Sequence, residues 1–553
     1  MIVYLNVAAH LPALAQQNPL APAVYCPNGQ DSFGRIAYTQ YTFQQLNEAS
    51  DYFAAQLTNF GVRRGMRTVL MVPPGLEFFT LTFALFKMGA VPVIVDPGMG
   101  VRNLGKCLAE AEPAAFIGIP KAHLARRFLG WARRTLQINI TVGRPRLSRY
   151  QLARVPESVL GRFEQPTPFP IAEVEANETA AILFTSGSTG VAKGAVYTHA
   201  MFTAQLESLR SLFDIQPGEI DLTTFPLFAL FGPALGMTSV IPHMDATRPA
   251  KVDPEKIFQA IKNFGVTNLF GSPALLNRIG RAGEGVFLAT VRRVISAGAP
   301  VPAAIIERIA RMLPQGVQVF TPYGATEALP VAVIGSDEIL AETRFATDKG
   351  AGVCVGWPAP GIDVRIIRIS DDAIPAWDPA LELPANQIGE ITVKAPWASP
   401  AYFQRPDATR LAKIQDSDGS FWHRMGDIGY LDQRGRLWFC GRKSQRVVTK
   451  DRTLFTIQCE AVFNAHPAVF RSALVGVNRG GVVEPVLCVE REPDAKDVSE
   501  TQLRDELLKF AAAFAHTSSI RTILFHPAFP VDIRHNAKIF REKLAEWAAR
   551  RLK

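Results

Sequence analysis

The chain has few cysteines, and those it has are scattered. Six occur among 553 residues, none in C-x-x-C spacing, which argues against a disulfide framework or a zinc site and favours a reducing compartment. Residues 1–15 lack the basic stretch and the cleavage pattern of a secretory signal. We therefore expect a cytoplasmic protein, with association at the periphery of the inner membrane as an alternative considered below.

Long, unbroken hydrophobic runs are also missing. The longest uncharged run, Leu222–His243, is long enough to span a bilayer. Its three prolines and two glycines would break a spanning helix repeatedly. We interpret the run as part of a substrate pocket, and its predicted pocket residues are Phe228, Ala229 and Phe231.

The charge balance is modest. A net charge of +9 with 20% charged and 48% apolar residues describes a globular protein, and its length predicts two or more domains. Such a charge suits a phosphate-bearing ligand, an anionic membrane or an acidic partner, and implies none of them alone. Because no nucleic-acid motif or basic-aromatic face accompanies it, we expect no nucleic-acid partner.

Helical and strand patterns alternate between residues 253 and 320. Asp253-Pro254 marks a helix start and Gly265 its end. Further elements are predicted, in order, as a strand, helix, strand, helix and strand over 266–270, 273–283, 291–296, 302–313 and 317–320. The alternation predicts a multidomain α/β fold with parallel sheets, in which ligands gather at the carboxyl ends of strands. Residues 362–439 are richer in short β runs, like a small β-barrel, and the remainder fits a compact α+β domain.

The segment Thr185–Gly194 holds three glycines, four hydroxyl side chains and one lysine, directly after the apolar run Ala180–Phe184. Backbone N–H groups, hydroxyls and a cation together suit a polyphosphate. The spacing is not that of the Walker-type P-loop, because Lys193 is followed by glycine. A Ser/Gly-rich surface linker is the alternative. The predicted phosphate-binding residues are Thr185, Ser186, Gly187, Ser188, Thr189, Gly190 and Lys193.

Further segments carry a family resemblance when they are taken in order along nearly the whole chain. They are Gly298-Ala299-Pro300, Tyr323–Glu327, Trp422–Asp427, Gly441-Arg442 and Asn536–Ile539. With the phosphate segment, they resemble the adenylate-forming superfamily of acyl-CoA synthetases, luciferases and peptide-synthetase adenylation domains. The resemblance implies ATP and Mg²⁺ as cofactors. It also implies a large N-terminal region (1–440), a hinge (441–446) and a mobile C-terminal domain (447–553).

Tyr323-Gly-Ala-Thr-Glu327 is similar to the superfamily's aromatic-Gly-x-Thr-Glu. The resemblance implies that the Tyr323 ring stacks on adenine and that Gly324 also lies at the nucleotide. It further implies that Thr326 binds the α-phosphate and that Glu327 holds Mg²⁺, a hard cation that prefers carboxylate and phosphate oxygens. The alternative is a strand-to-turn corner with a solvated glutamate. Gly298, Ala299 and Pro300 match the adenine-side turn, with an ordinary Gly/Pro turn as their alternative.

Three more residues take their roles from the same resemblance. Asp427 stands where the superfamily's aspartate accepts both ribose hydroxyls, although Met425 replaces the usual threonine. Arg442 would contact ribose or phosphate, with a structural salt bridge as its alternative. Lys538 would bridge the carboxylate and the α-phosphate, since a cation placed where negative charge builds is a strong catalytic lever; its alternative is an ordinary lysine at a helix start. The predicted catalytic residues are Lys538, Thr326 and Lys193.

Three departures point away from CoA as the acyl acceptor. Asp451 aligns with a glycine that admits pantetheine in CoA-using relatives, Ser444 occupies the hinge position, and Ala229 stands where a histidine gate is common. The nearest resemblance is to the β-lactone synthetases of bacterial long-chain olefin biosynthesis. It rests on Ala115–Pro120, Val95–Gly98, Trp422–Asp427, Gly441–Arg446 and Val531–Lys538.

This resemblance implies a reaction and a substrate. ATP would activate a 2-alkyl-3-hydroxyalkanoic acid as its acyl-adenylate, and the 3-hydroxyl would then attack to give a β-lactone and AMP. Two alternatives remain open: a fatty-acyl-CoA or acyl-carrier ligase, and a non-catalytic acyl-binding assembly subunit. The basic and apolar segment 121–134 is either a solvated helix or a contact with a membrane or with other enzymes of a multi-enzyme assembly.

Overall fold

Two large β-sheets carry most of the chain. The structure, a computed structural model, describes residues 5–156, 159–160, 168–185, 192–225, 231–495, 497–531 and 538–552. Its strands are β1 Pro22–Gln30, β2 Ile36–Thr42, β3 Arg67–Met71, β4 Val91–Val95, β5 Ala115–Gly118, β6 Ile138–Val142, β7 Tyr150–Leu152, β8 Thr179–Thr185, β9 Lys193–Thr198, β10 Ile220–Thr223, β11 Thr238–Val240, β12 Asn268–Phe270, β13 Arg293–Ile295, β14 Val319–Ala325, β15 Ala328–Gly335, β16 Val353–Pro358, β17 Asp363–Ile367, β18 Gly389–Lys394, β19 Lys413–Gln415, β20 Phe421–Leu431, β21 Leu437–Arg442, β22 Val447–Val448, β23 Thr453–Leu454, β24 Val469–Arg479, β25 Val482–Arg491 and β26 Thr522–Phe525.

Helices connect most of these strands. Those of the described residues are His10–Gln17, Phe43–Asn59, Leu76–Lys87, Val101–Ala111, Pro120–Leu129, His199–Phe213, Phe231–Ala234, Pro254–Phe264, Pro273–Ala282, Ala303–Ala310, the contiguous turns Ser336–Glu338, Ile339–Thr343 and Arg344–Thr347, Pro406–Ala412, Thr456–Asn464, Glu500–Ala512 and Arg541–Arg551. Short 3-10 turns lie at Val7–Ala9, Pro97–Met99, Pro249–Lys251, Pro379–Leu381 and Lys443–Gln445. In the described part of the chain, none of the helices has both the length and the apolar character required to cross a membrane.

The smaller of the two large sheets has the order β7-β6-β5-β3-β4-β8-β9. Its strands are parallel except at one edge, where β9 runs antiparallel to β8 and Lys193 lies opposite Thr185. Strand β8 therefore ends at the first residue of the phosphate segment, Thr185, and β9 begins at Lys193. Ser186, Gly187, Ser188, Thr189 and Gly190 lie outside the described residues.

The larger sheet has the order β17-β18-β20-β21-β16-β15-β14-β13-β12-β10-β11-β1-β2, with β19 paired to β20. Strands β14, β13, β12, β10, β11 and β1 are parallel. The helix Pro254–Phe264 begins at Asp253, whose side chain accepts from the Glu255 N–H, and ends at Gly265 with φ +62°. These features confirm the predicted α/β class and the alternation over 253–320.

The β-rich part over 362–439 is also present, but the strand order changes its description. Strands β16 to β21 form the antiparallel arm of the larger sheet and continue from the parallel part through β15. Along the described residues the pairing follows this open path. The barrel-like description is corrected to an open antiparallel arm, because β15 and β16 supply edge partners that short runs in a sequence do not reveal.

Strand β14 is longer than the sequence pattern predicts. The expected strand ends at Phe320, whereas the observed strand continues to Ala325 and forms a hairpin with β15 in which Ala325 lies opposite Ala328. Thr326 and Glu327 form the turn. A Cβ on Gly324 would lie 2.6 Å from the Ala328 carbonyl oxygen, so this hairpin requires glycine there.

The chain after the β21 strand builds a smaller α+β unit. Strands β24, β25 and β26 form a three-stranded sheet, and β22 pairs with β23. One apolar cluster packs Leu474 and Leu487 against Leu503 on one side. A second packs Val475 and Val486 against Leu544 of the last helix. Helices thus cover both faces of this small sheet.

Candidate active site

A single cavity of about 620 Å³ brings many of the predicted residues together. Eight of them line it: Lys193, Phe231, Gly298, Gly324, Thr326, Glu327, Arg442 and Lys538. Ala299, Pro300, Tyr323 and Asp427 are described but are not among the lining residues, and Thr185 is the last residue of β8. Phe228 and Ala229 lie outside the described residues. The cavity draws its lining from both large sheets and, through Lys538, from the C-terminal unit.

Asp427 and Arg442 are placed by strand register. They lie directly opposite each other on β20 and β21, and the Arg442 Nη1 is 2.9 Å from the Asp427 Oδ1. The Tyr323 hydroxyl donates to the Asp427 Oδ2 at 2.6 Å. Burial raises the pKa of Asp427, while Arg442 and the tyrosine hydrogen bond oppose that rise. The Arg442 pKa is raised chiefly by Asp427.

Tyr323 is not among the residues that line the cavity. Its ring packs against Phe439, with centroids 5.9 Å apart and a 37° tilt, and its hydroxyl is held by Asp427. Burial, followed by the neighbouring Asp427 charge, raises the pKa of Tyr323 well above its usual value. This tyrosine therefore remains a neutral hydrogen-bond donor that joins β14 to β20.

Glu327 is fixed by a residue that the sequence analysis missed. The Tyr402 hydroxyl donates to the Glu327 Oε1 at 2.6 Å, and the Lys193 Nζ lies 4.7 Å from the centroid of the same tyrosine ring. The Ser399 N–H donates to the Glu327 backbone oxygen at 2.7 Å. Tyr402 thus connects the phosphate-segment lysine with the hairpin carboxylate.

The residues present fit a metal ion that is bound mainly by its substrate. Glu327 presents a carboxylate at the cavity, and within the described ranges no group of three or more His, Cys, Asp or Glu side chains could hold a metal by itself. Mg²⁺ typically uses one or two carboxylates and completes its shell with substrate phosphates and water. One carboxylate beside two lysines is therefore a suitable donor set for a nucleotide-bound Mg²⁺.

Lys413 and His423 form a second buried feature that no motif indicated. The Lys413 ammonium donates to the Ser399 carbonyl oxygen and lies 3.0 Å from the His423 Nδ1. Burial lowers the pKa of Lys413 to about 7, and the nearby Glu327 opposes this shift. Burial and then the Lys413 charge lower the pKa of His423 well below 6.5. The pair braces the segment that carries Ser399 and Tyr402.

Lys538 enters the cavity from the C-terminal unit. The adjacent Ile539 forms an isolated bridge with Val531, and the last helix begins at Arg541. The Arg541 Nη2 lies 2.9 Å from the Oε2 of the buried Glu460. These contacts anchor the chain on both sides of Lys538, which lines the cavity together with Arg442.

A large part of the cavity lining is apolar. Phenylalanines from several elements line it: Phe78, Phe86, Phe202, Phe225, Phe231 and Phe270. Phe225 and Phe231 belong to the run Leu222–His243 that the sequence predicts to form part of a substrate pocket. The others belong to helices and strands whose apolar residues have the pattern of an ordinary core. One buried amide, Gln205, lies among them.

Two segments singled out in the sequence lie away from the cavity lining. Asp451 is exposed in the turn between β22 and β23, so its predicted effect on a pantetheine tunnel stays a prediction. The helix Pro120–Leu129 exposes Phe128, at 86% of its surface, and Leu129. Ser444, by contrast, does line the cavity.

Comparison with known proteins gives the class first. Residues 12–403 match the model of the AMP-binding enzyme family. The fold is similar to that of the amide bond synthetase McbA from Marinactinospora thermotolerans, with a TM-score of 0.77 at 21% identity over 98% of this chain and 99% of that one. The chain belongs to the AMP-binding enzyme family, and its resemblance to adenylate-forming enzymes is confirmed.

Two relatives of higher sequence identity indicate the branch of this family to which the chain belongs. The chain is 52% identical to an olefin β-lactone synthetase of Xanthomonas campestris pv. campestris, over 99% of this chain and 98% of the relative. It is 50% identical to an olefin β-lactone synthetase of Stenotrophomonas maltophilia, over 99% and 98%. At this identity over nearly the full length, the chain is a member of the olefin β-lactone synthetase family.

Proposed function

We propose that this enzyme uses ATP to activate a long-chain 2-alkyl-3-hydroxyalkanoic acid and then closes it to a β-lactone, with release of AMP and pyrophosphate. The observation that carries the proposal is a single cavity whose lining combines two kinds of chemistry. Lys193, Thr326 and Lys538 contribute two cations and a hydroxyl, and a group of phenylalanines contributes an apolar surface. This arrangement suits a carboxylate that meets a nucleotide phosphate while its alkyl chains are buried.

In the first half-reaction, the substrate carboxylate attacks the α-phosphorus of ATP and pyrophosphate leaves. Lys538 balances the negative charge that collects between the carboxylate and the α-phosphate, while Lys193 and Thr326 orient the phosphates. Asp427 and Arg442 hold the ribose end. Glu327 would hold Mg²⁺, which neutralises phosphate charge when it is bound.

In the second half-reaction, the 3-hydroxyl oxygen forms a bond to the acyl carbon. The bond between that carbon and the AMP phosphate oxygen breaks, AMP leaves with the electron pair, and the hydroxyl proton passes to solvent. An internal nucleophile requires orientation rather than a second substrate tunnel, and good orientation is worth about 7–11 kcal/mol of barrier. The division into residues 1–440, 441–446 and 447–553, with movement of the last part between the half-reactions, belongs to the same proposal.

The surface segment 121–134 is a peripheral part of this proposal. Phe128 and Leu129 are exposed beside Arg127 and the exposed Arg133, a pattern that suits an anionic membrane or another enzyme of olefin synthesis. Co-sedimentation with anionic vesicles, compared between the unchanged protein and Phe128→Ser, tests membrane contact. If the two proteins are recovered equally with the vesicles, the segment is a solvated helix that does not contact the membrane.

The direct test supplies the purified protein with ATP, Mg²⁺ and a synthetic 2-alkyl-3-hydroxy acid, without CoA. The organic product is identified by NMR in the cold, and pyrophosphate exchange is followed in parallel. A β-lactone with one AMP per ring is the expected result. Acyl-adenylate that turns over only after a thiol is added would make the protein a thioester ligase, and absence of exchange with every acid tried would favour the non-catalytic alternative.

A further inference from the structure

Tyr402 contacts two opposite charges of the active-site cavity. Its hydroxyl donates to the Glu327 Oε1 at 2.6 Å, and the Lys193 Nζ lies 4.7 Å from the centroid of its ring. All three residues line the cavity. Because one side chain makes both contacts, little more than its ring separates the ammonium from the carboxylate. In the part of the chain that the structure describes, no ion pair joins the two charges directly.

Backbone pairing holds the tyrosine in place on the lysine side. Tyr402 forms an antiparallel bridge with Ala195, and the Phe403 N–H donates to the Gly194 carbonyl oxygen at 2.8 Å. Both partners belong to β9 and follow directly after Lys193, its first residue. The tyrosine therefore lies on a short segment that runs beside the strand that carries the lysine.

The same segment is fixed on the carboxylate side. The Ser399 N–H donates to the Glu327 carbonyl oxygen at 2.7 Å, and the Ser399 hydroxyl donates to the Val196 carbonyl oxygen at 2.8 Å. The ammonium of Lys413, a buried cation near Glu327, donates to the Ser399 carbonyl oxygen. These contacts fix the segment independently of the two charges at the ring. Because Lys413 is held in this way, the exposed Lys193 is the lysine that can approach Glu327.

A direct ion pair between Lys193 and Glu327 would compete with a ligand. Opposite charges attract each other more strongly in a partly dehydrated cavity than in bulk water, and a polyphosphate would have to draw the lysine out of such a pair. The contacts with Tyr402 are weaker, because a neutral hydroxyl bonds the carboxylate and an aromatic face attracts the ammonium. Contacts of this kind orient both charges and are replaced more readily by a ligand.

We propose that Tyr402 is a positioning residue that prevents Lys193 and Glu327 from pairing with each other and so keeps both available for a nucleotide and its metal ion. This inference rests on the proposed function, which assigns the lysine to the phosphates and the carboxylate to Mg²⁺. Tyr402 takes no part in proton transfer or in a covalent step. It acts before the chemistry, through the affinity of the site for ATP.

The experiment measures ATP binding by isothermal titration calorimetry without Mg²⁺ and without an acid, so that no reaction contributes to the heat. Tyr402→Leu removes both the hydroxyl and the ring, and we expect it to weaken ATP binding about tenfold, because Lys193 then pairs with Glu327. Adding Glu327→Gln to Tyr402→Leu should restore most of the lost affinity, whereas Glu327→Gln alone should change the affinity much less. Tyr430→Leu replaces a half-buried tyrosine outside the cavity lining and should leave ATP binding unchanged.

The four affinities form a double-mutant cycle. If Glu327→Gln changes the affinity by the same factor with and without Tyr402, or if Tyr402→Leu binds ATP as tightly as the unchanged protein, the assignment is overturned. Thermal midpoints measured alongside identify a misfolded variant. If Tyr402→Leu does not fold, Tyr402→Phe, which loses only the hydroxyl bond, takes its place, and an equal effect of Glu327→Gln in that background also overturns the assignment. Failure of the unchanged protein to bind ATP with Mg²⁺ present contradicts the proposed function instead.

Discussion

The Tyr323 hydroxyl donates a 2.6 Å hydrogen bond to the Asp427 Oδ2, while the Arg442 Nη1 lies 2.9 Å from the other oxygen of the same carboxylate. Two residues 104 positions apart in the chain thereby join the end of β14 to β20. Each oxygen of a carboxylate has a second acceptor position. Asp427 is thus oriented by the protein, as its proposed role at the ribose requires.

We expect Asp427→Asn to weaken ATP binding about 10- to 100-fold, because hydrogen bonds to a charged acceptor contribute about 1.5–3 kcal/mol. Isothermal titration calorimetry measures the change. Tyr323→Phe is the matched control, since it removes the orienting hydroxyl and keeps the carboxylate. This variant should lose less affinity for ATP than Asp427→Asn. Equal affinity of Asp427→Asn and the unchanged protein would remove Asp427 from the nucleotide site.

Lys538→Ala should lower the rate of adenylation by about 10²–10³, comparable to the loss of one donor aimed at developing charge. Pyrophosphate exchange with a saturating acid reports this step alone. Lys543→Ala changes an exposed lysine on the following helix and should leave the exchange rate unchanged. If the exchange rates of both variants fall equally, the effect arises from the packing of the C-terminal unit rather than from the cation in the cavity.

Glu327→Gln should raise the Mg²⁺ concentration required for half-maximal exchange by about tenfold or more, because a neutral amide is a poorer ligand for a hard cation. Tyr402→Phe keeps the ring under Lys193 and removes only the hydrogen bond to Glu327. Tyr402→Phe should therefore raise the required Mg²⁺ concentration by less than Glu327→Gln does. A Mg²⁺ dependence that neither variant changes would place the metal elsewhere.

The parts of this site that are predictable from sequence are those encoded by local patterns. The short segments that contain Lys193, Thr326 and Glu327 have residue types that indicate their chemistry. One helix begins after Asp253, through a local hydrogen bond, and ends at Gly265, through its positive φ. Tyr402 carries no such signal. Its importance arises from a contact with Glu327, 75 residues away, which depends on how the antiparallel arm folds back.

Gln205 was missed for a related physical reason. An amide on a helix carries no signal in a sequence, and it becomes informative only when packing places the side chain beside a cavity. The extension of β14 through Tyr323 to Ala325 was likewise set by pairing with β15. The position at which a strand ends depends more on the strand that it pairs with than on its own residues. The motif could therefore be predicted from the sequence, whereas the hairpin that contains it could not.

Lys413 gives the final prediction, a pH-dependent cost to stability. Burial lowers its pKa from 10.5 to about 7, so between these values the unfolded chain holds one proton more than the folded one and stability rises with pH. Below pH 7 the folded protein carries the full free-energy cost of keeping the buried ammonium charged, on the order of 5 kcal/mol. The groups facing the ammonium are His423, kept neutral by its lowered pKa, and Glu327.

Lys413→Met should therefore unfold at higher urea than the unchanged protein at about pH 6, and its advantage should shrink as the pH rises toward about 10. The lost bond to the Ser399 carbonyl subtracts a constant amount and does not alter this slope. Lys394→Met is the matched control, because ion pairs with Asp418 and Asp416 raise the pKa of that lysine and leave it protonated in both states through this range. Parallel pH curves for Lys413→Met and the unchanged protein would show that Lys413 remains fully charged in the fold.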